Sequence, residues 1–145
     1  MKLYTVGHSN REPEQFVQLL ENHGVHQIFD VRRFPTSKKY PHFRREAMEK
    51  SLPEAGIEYH YLGDLLGGYR TGGYERYMQT EDFRRGIDAL LRLAKDGQAA
   101  LMCAEMLYFK CHRRFIADYL VREEGVTVLH IVDEKRVVPH TKPLL

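Results

Sequence analysis

The sequence predicts an α/β fold: a single-domain, three-layer sandwich whose mostly parallel sheet of about five strands carries helices on both faces. Three observations predict it. Apolar runs of strand length alternate with segments whose apolar residues recur at helical spacing. Gly or Pro marks many of the joints between them. The chain has 145 residues without an internal repeat, low-complexity tract or linker, which suits one domain spanning 1–145. Strand–helix–strand alternation implies parallel pairing, because each crossover returns the next strand in the same direction.

The elements follow in order. "KLYTVG", residues 2–7, reads as a short buried strand. Pro13 suits the first turn of a helix that carries Phe16, Leu19, Leu20 and His23 on one face and stops at Gly24. "QIFDVR", residues 27–32, is the second strand. A basic loop follows, kept non-helical by Pro35 and Pro41, then a helix over about 43–52 that Pro53 disturbs. "IEYHYL", residues 57–62, is the third strand, and a Gly-rich segment with Gly63, Gly67, Gly68, Gly72 and Gly73 turns tightly after it. Thr80 caps the next helix, with Glu81 and Asp82 complementing its dipole and Phe83, Ile87, Leu90 and Leu91 on its apolar face. "QAALMC", residues 98–103, is the fourth strand, 112–125 the last helix and "VTVLHIV", residues 126–132, the fifth strand. The tail from Asp133 is polar and is expected to be irregular.

Composition narrows the class. The chain is 43% apolar and 29% charged, as in ordinary soluble globules. Two cysteines are too few for a disulfide framework, the first residues lack the apolar core of a signal peptide, and no apolar run reaches a membrane span. The expectation is a cytoplasmic protein with reduced thiols and no membrane contact. The net charge of +2 implies no partner, but its distribution is uneven. Residues 32–45, "RRFPTSKKYPHFRR", hold six Lys or Arg and no acid, interleaved with Phe34, Tyr40 and Phe43. Cations suit phosphates and aromatic rings suit bases, so an anionic small molecule or a nucleic acid is the expected partner. The sequence leaves the oligomeric state open.

In an open parallel sheet, ligands sit beyond the carboxyl ends of the strands. Gly7, His8, Ser9 and Asn10 follow the first strand, Asp30, Arg32 and Arg33 the second, and Cys103 and Glu105 the fourth. "LMCAEMLYFKCHRR", residues 101–114, holds both cysteines, with Glu105 between them and Cys-His-Arg-Arg at its end. Thiol, carboxylate, imidazole and guanidinium are the groups of nucleophilic, acid–base and phosphate chemistry.

These residues resemble the domain of unknown function 488 family. "TVGHSN", "DVRRFPTSKKYPHF", "LGGYR" and "CAEMLYFKCHRR" occur in that order from Thr5 to about Val121. The resemblance places the family's hallmarks on Gly7-His8-Ser9, on Asp30-Val31-Arg32 with Pro35 and Ser37, on Cys103-Ala104-Glu105 and on Cys111-His112-Arg113. It implies the α/β fold and this choice of site, and it implies no reaction.

The site residues so chosen are Cys103, Glu105 and His8 for chemistry. Ser9, Asp30, Arg32, Arg33, Ser37, Arg70, Cys111, His112 and Arg113 are chosen for substrate binding. Cys103 is expected to be the reactive thiol, its pKa lowered by the helix start and Arg113; Cys111 is the competitor. Arg113 and Arg114 oppose the dipole of the last helix, so Glu105, Asp30 or a bound anion is expected to offset them. Cys103, Cys111, His112 and His8 carry metal-ligating atoms, but Cys-x7-Cys-His is not a zinc-finger spacing; no metal and no cofactor are expected. The Gly-rich loop lacks the Lys-Ser/Thr ending of a P-loop, and no Gly-x-Gly-x-x-Gly follows the first strand, which disfavours an NTPase and a dinucleotide enzyme. The expectation is an enzyme acting on a phosphate-bearing, nucleotide or nucleic-acid substrate. Two alternatives stand beside it: a non-catalytic nucleic-acid module using loop 32–45, and a thiol redox protein cycling a Cys103–Cys111 bond. The tyrosines at 59, 61, 69, 74 and 77 are expected to cover the sheet edge or to act as a lid. His23, His26, His60, His130 and His140 are read as structural or surface residues.

Overall fold

The computed structural model describes residues 1–141. Its six strands form one sheet in the order β3-β2-β4-β1-β5-β6. They are β1 (Lys2–Gly7), β2 (Gln27–Asp30), β3 (Glu58–Tyr61), β4 (Ala99–Cys103), β5 (Thr127–Ile131) and β6 (Val137–Pro139). Every pairing is parallel except β5 with β6. The main helices are α1 (Pro13–Asn22), α2 (Arg45–Glu54), α5 (Glu81–Leu93) and α6 (Arg113–Glu123), with single turns α3 (Gly63–Leu66) and α4 (Tyr74–Tyr77) in the Gly-rich segment. Among the described residues no helix is long and apolar enough to cross a membrane.

Alternation along the strands sorts the core into two layers. Tyr4, Val6, Ile28, Ala100 and Met102 meet Phe16, Leu19, Leu20, Met48 and Leu52 of α1 and α2. Leu3, Phe29, Leu101 and Cys103 meet Leu66, Phe83, Ile87, Leu90, Ile116 and Leu120 of α3, α5 and α6. All of these are buried. The α1 and α5 starts are those the sequence predicts: Pro13 opens α1, and Thr80 Oγ1 accepts the Phe83 N–H to cap α5.

Three expectations change. Pro41, read as keeping the basic loop non-helical, instead opens a single 3-10 turn over Pro41–Phe43, where its fixed φ suits a first helical position. The tail beyond Asp133 is not irregular. Asp133 accepts the Lys135 and Arg136 N–H groups in a turn, and Val137–Pro139 then pairs with β5 as an edge strand. The second helix also runs one residue past Pro53, where a proline near the end of a helix removes only one backbone bond.

Strand order builds the site. β4 lies between β1 and β2. The helices after β1 and β2 pack on one face, and the helix after β4 packs on the other. The chain therefore departs in opposite directions on both sides of the β4 end, the arrangement that opens a crevice. The approach is close: His8 N–H donates to Cys103 O at 2.9 Å and Ser9 N–H to Ala104 O at 3.0 Å. A Cβ on Gly7 would run into the Glu105 carbonyl, so only glycine lets the loops meet there.

Candidate active site

On the α1/α2 face, Asp30 points off the end of β2 and is fully buried. Its carboxylate takes Arg32 twice, from Nε at 2.9 Å and from Nη2 at 2.8 Å, the bidentate geometry that guanidinium favours. It also accepts the Arg32 backbone N–H at 3.1 Å and the Tyr59 hydroxyl at 2.5 Å. Burial and the neighbouring Asp30 charge push the Tyr59 phenol well above its usual range, so it stays a donor.

Arg32 Nη1 then reaches His8 Nε2 at 3.2 Å. His8 Nδ1 lies 2.8 Å from the Ser9 carbonyl, which can only accept, so Nδ1 carries the proton and Nε2 receives the guanidinium. Burial lowers the His8 pKa to about 4, and the ring stacks on Phe43 with centroids 4.3 Å apart. His8 is thus neutral with its basic nitrogen occupied, an arrangement that positions Arg32.

On the α5/α6 face the two thiols share a neighbourhood with opposite properties. Cys103 is 2% exposed, and burial pushes its thiol well above the ordinary range. Cys111 is half-buried and held well below that range. The Cys103 thiol beside it, His112 and the Arg113 N–H at the start of α6 hold it there, against burial. Cys111 Sγ lies 3.5 Å from His112 Nδ1, and His112 Nε2 donates to the Val31 carbonyl at 2.8 Å. That carbonyl fixes the tautomer and leaves Nδ1 free to take the thiol proton. This reverses the expectation that Cys103 is the lowered thiol. A strand-end residue whose side chain joins the core loses more hydration than the helix start restores.

Arg113 is 1% exposed and pairs with no carboxylate among the described residues. Neither Glu105 nor Asp30 supplies the offset; Arg113 donates instead to the backbone carbonyls of Glu105 and Met106, both at 2.9 Å. Its other amino group begins a chain. Nη1 reaches Thr5 Oγ1 at 3.2 Å, Thr5 meets His130 Nδ1 at 2.6 Å, His130 Nε2 meets His140 Nδ1 at 2.8 Å, and His140 Nε2 meets Asp118 at 2.6 Å. Each link accepts one hydrogen and passes on the next, so the buried cation is tied to a carboxylate four groups away. His130, His140 and Asp118 carry no local motif that marks them; only proximity in the fold does.

Two adjoining cavities open over these groups. One of about 500 Å³ is lined by Arg32, Arg33, Phe34, Gly68, Tyr69, Cys103, Ala104, Glu105, Lys110, Cys111 and His112. Its neighbour of about 520 Å³ adds His8, Ser9, Ser37, Lys39 and Tyr40 and shares Arg32, Phe34, Ala104 and Glu105. A larger cleft of about 730 Å³, between α1 and the β5–β6 turn, contains none of the predicted site residues. The fold therefore brings Cys103, Glu105, His8, Ser9, Arg32, Arg33, Ser37, Cys111 and His112 to the cavity walls. Asp30 and Arg113 lie beneath them. Arg70 lies outside both cavities and spends its donors on the carbonyls of Gly67, Gly63 and Asp64. Glu105 is exposed, with Oε1 accepting the Leu107 N–H at 3.3 Å.

The rim holds backbone strain. Among the described residues Ser9 and Tyr69 are the non-glycine residues with positive φ, at 51° and 59°, and they stand on the two cavity walls. Tyr69 is 85% exposed and faces Phe34, itself 63% exposed, at 5.9 Å between rings. Arg33 Nη1 donates to the Tyr69 carbonyl at 2.7 Å and fixes that turn. Tyr74 and Tyr77 donate their hydroxyls to the Leu66 and Leu65 carbonyls of α3, pinning the Gly-rich segment, and Tyr61 donates to the Arg33 carbonyl of the basic loop. Among the described residues no group of three His, Cys, Asp or Glu is arranged to hold a metal ion.

A family model described as "Domain of unknown function DUF488" matches residues 12–120, and the chain belongs to that family. The matched span holds Asp30, Arg32, both cysteines, Glu105, His112 and Arg113, and begins just after Gly7-His8-Ser9. No curated protein and no solved structure matches the chain.

Proposed function

We propose that this DUF488 member is an enzyme that uses the Cys111 thiolate as a nucleophile on a small anionic substrate. The observation that carries the reading is the Cys111–His112–Val31 arrangement opening into a cation-lined cavity. His112 takes the thiol proton, and the Val31 carbonyl holds the ring in place, the nucleophile–base–orienter pattern of thiol catalysis. Arg33 and Lys110 supply the positive wall, and Arg32, paired to Asp30, adds guanidinium hydrogen-bond donors to it. Arg32 is pre-set by Asp30 and His8, so little is lost in ordering it when the substrate binds. Glu105, on the wall of both cavities, is the carboxylate available for proton transfer. A cavity of about 500 Å³ suits a molecule of metabolite size.

A nucleic-acid module has less support. Of the cations in loop 32–45, Arg32 pairs with Asp30, Arg33 with the Tyr69 carbonyl, Arg44 with the Ser37 carbonyl and Arg45 with Glu49. Phosphate contacts would fall to Lys38 and Lys39.

The test is the rate of iodoacetamide alkylation against pH. Wild type and Cys103→Ser should keep a fast phase that changes little between pH 6 and 8, because the thiolate is already formed. Cys111→Ser should lose it, and His112→Asn should restore ordinary pH dependence. Phosphate or a small dicarboxylate should protect Cys111, and Lys110→Gln should weaken that protection. A fast phase that survives Cys111→Ser refutes the assignment.

A further inference from the structure

We infer that the site carries out thiol–disulfide exchange on a small anionic disulfide, with Cys111 attacking and Cys103 resolving. This rests on the reading of Cys111 as nucleophile and adds the reaction and the substrate class.

Four observations lead there. The chain has two cysteines, both free, and both line the same cavity. Their exposure is unequal: Cys103 is 2% exposed within the core cluster against which the half-buried Cys111 packs. An incoming molecule therefore meets Cys111 first, and Cys103 lies behind it on the wall of the same cavity. That division is what a two-thiol exchange needs, an accessible attacking sulfur and a shielded one that reacts only with the mixed disulfide. Second, hydrolysis or group transfer through Cys111 would give a second thiol no task, and the second thiol would compete for the covalent intermediate. Third, Cys103 is held in place: its Sγ–H faces the Glu105 carbonyl at 3.5 Å, and Arg113 anchors that carbonyl from beneath at 2.9 Å. Fourth, Arg33 and Lys110 on the wall, with Phe34 and Tyr69 at the mouth, favour a substrate carrying carboxylates or similar anions.

The step balances. Cys111 thiolate attacks one sulfur of R–S–S–R; a Cys111–S–S–R bond forms, the substrate S–S bond breaks, and RS⁻ leaves with the proton that His112 had taken from Cys111, which returns the ring to its neutral form. Cys103 then attacks Cys111 sulfur and loses its proton to His112. A Cys103–Cys111 bond forms and the second RS⁻ leaves, taking up that proton. Two protein thiols are oxidised and one disulfide is reduced to two thiols. A small dithiol returns the protein to its reduced form by the reverse exchange.

The experiment uses dithiobis(nitrobenzoate), a dianionic disulfide, on the reduced full chain. Wild type should release about two equivalents of thionitrobenzoate and end without adduct, its intact mass lower by the two thiol hydrogens. Cys103→Ser should release about one equivalent and keep a stable adduct on Cys111; Cys103→Ala serves if the serine variant fails to fold. Wild type that instead ends with two adducts, or with a lasting adduct on Cys111, overturns the exchange while leaving Cys111 as nucleophile. A Cys111→Ser variant that reacts as fast as wild type overturns both readings. At low salt the dianion should react at least about tenfold faster than cystamine, a dication, relative to a free thiol, and Lys110→Gln should narrow the gap. Equal relative rates overturn the anionic class.

Discussion

Asp30→Asn tests the foundation of the site. Asp30 and Arg32 are 0% and 7% exposed, and the carboxylate holds four donors: Arg32 Nε at 2.9 Å, Arg32 Nη2 at 2.8 Å, the Arg32 N–H at 3.1 Å and the Tyr59 hydroxyl at 2.5 Å. Asparagine preserves the shape and keeps one oxygen. That oxygen satisfies Arg32 Nε and the backbone N–H, but the new NH2 faces Arg32 Nη2 and the Tyr59 hydroxyl, donor against donor. The guanidinium is then a buried cation without a counter-charge. Breaking a buried pair from one side costs about 3–5 kcal/mol. With a urea slope of about 2 kcal/mol/M, the unfolding midpoint should fall by about 2 M. Arg85→Gln is the control: it breaks the exposed Asp82–Arg85 pair at 3.3 Å and should cost under about 1 kcal/mol. Tyr59→Phe, which removes one of four donors, should cost about 1 kcal/mol. Urea unfolding followed by circular dichroism, with the phosphate protection of Cys111 measured on the folded variants, reads out both parts. An Asp30→Asn midpoint within about 0.5 M of wild type refutes the claim that Asp30 is the fixed anchor of Arg32.

Stability should fall on acidification before any carboxylate titrates. His8 and His130 have folded pKa values lowered to about 4 and about 3, chiefly by burial, so the unfolded chain binds more protons below its own value of about 6.5. Each contributes stability present above about pH 6.5 and lost as the pH falls toward the folded value, about 2 kcal/mol each by pH 5. Urea midpoints that agree at pH 7 and pH 5 contradict this. Thr5→Val, equal in shape, leaves Arg113 Nη1 and His130 Nδ1 unpartnered and should cost about 2–4 kcal/mol, whereas Thr127→Val on the exposed end of β5 should cost almost nothing. Equal melting temperatures for the two variants would show that the chain from Arg113 to Asp118 carries no weight. Gly7→Ala drives a Cβ into the Glu105 carbonyl, so it should lower both the melting temperature and the alkylation rate of Cys111 by displacing the β4 loop; a variant with wild-type rates shows that the loop position does not matter to the thiol.

The sequence by itself determined the alternation of strands and helices, because periods of two and 3.6 are properties of the backbone that any buried face must respect. It also determined that reactive residues gather at one edge of the sheet, since parallel strands all end on the same side. "DVRR", "CAE" and "CHRR" were legible as site segments for that reason. The β5–β6 hairpin left only a faint signal, an Asp-led turn before two valines. Tertiary structure alone decided the rest. Strand order placed β4 between β1 and β2 and so opened the crevice there. Side-chain alternation sent His8 and Cys103 into different layers, giving two joined cavities. Which thiol is activated was decided the same way. Position along the chain favoured Cys103, but acidity follows burial and neighbours. His112 acquires its role from a carbonyl 81 residues away in sequence, while Cys103 is enclosed by the core of the same fold.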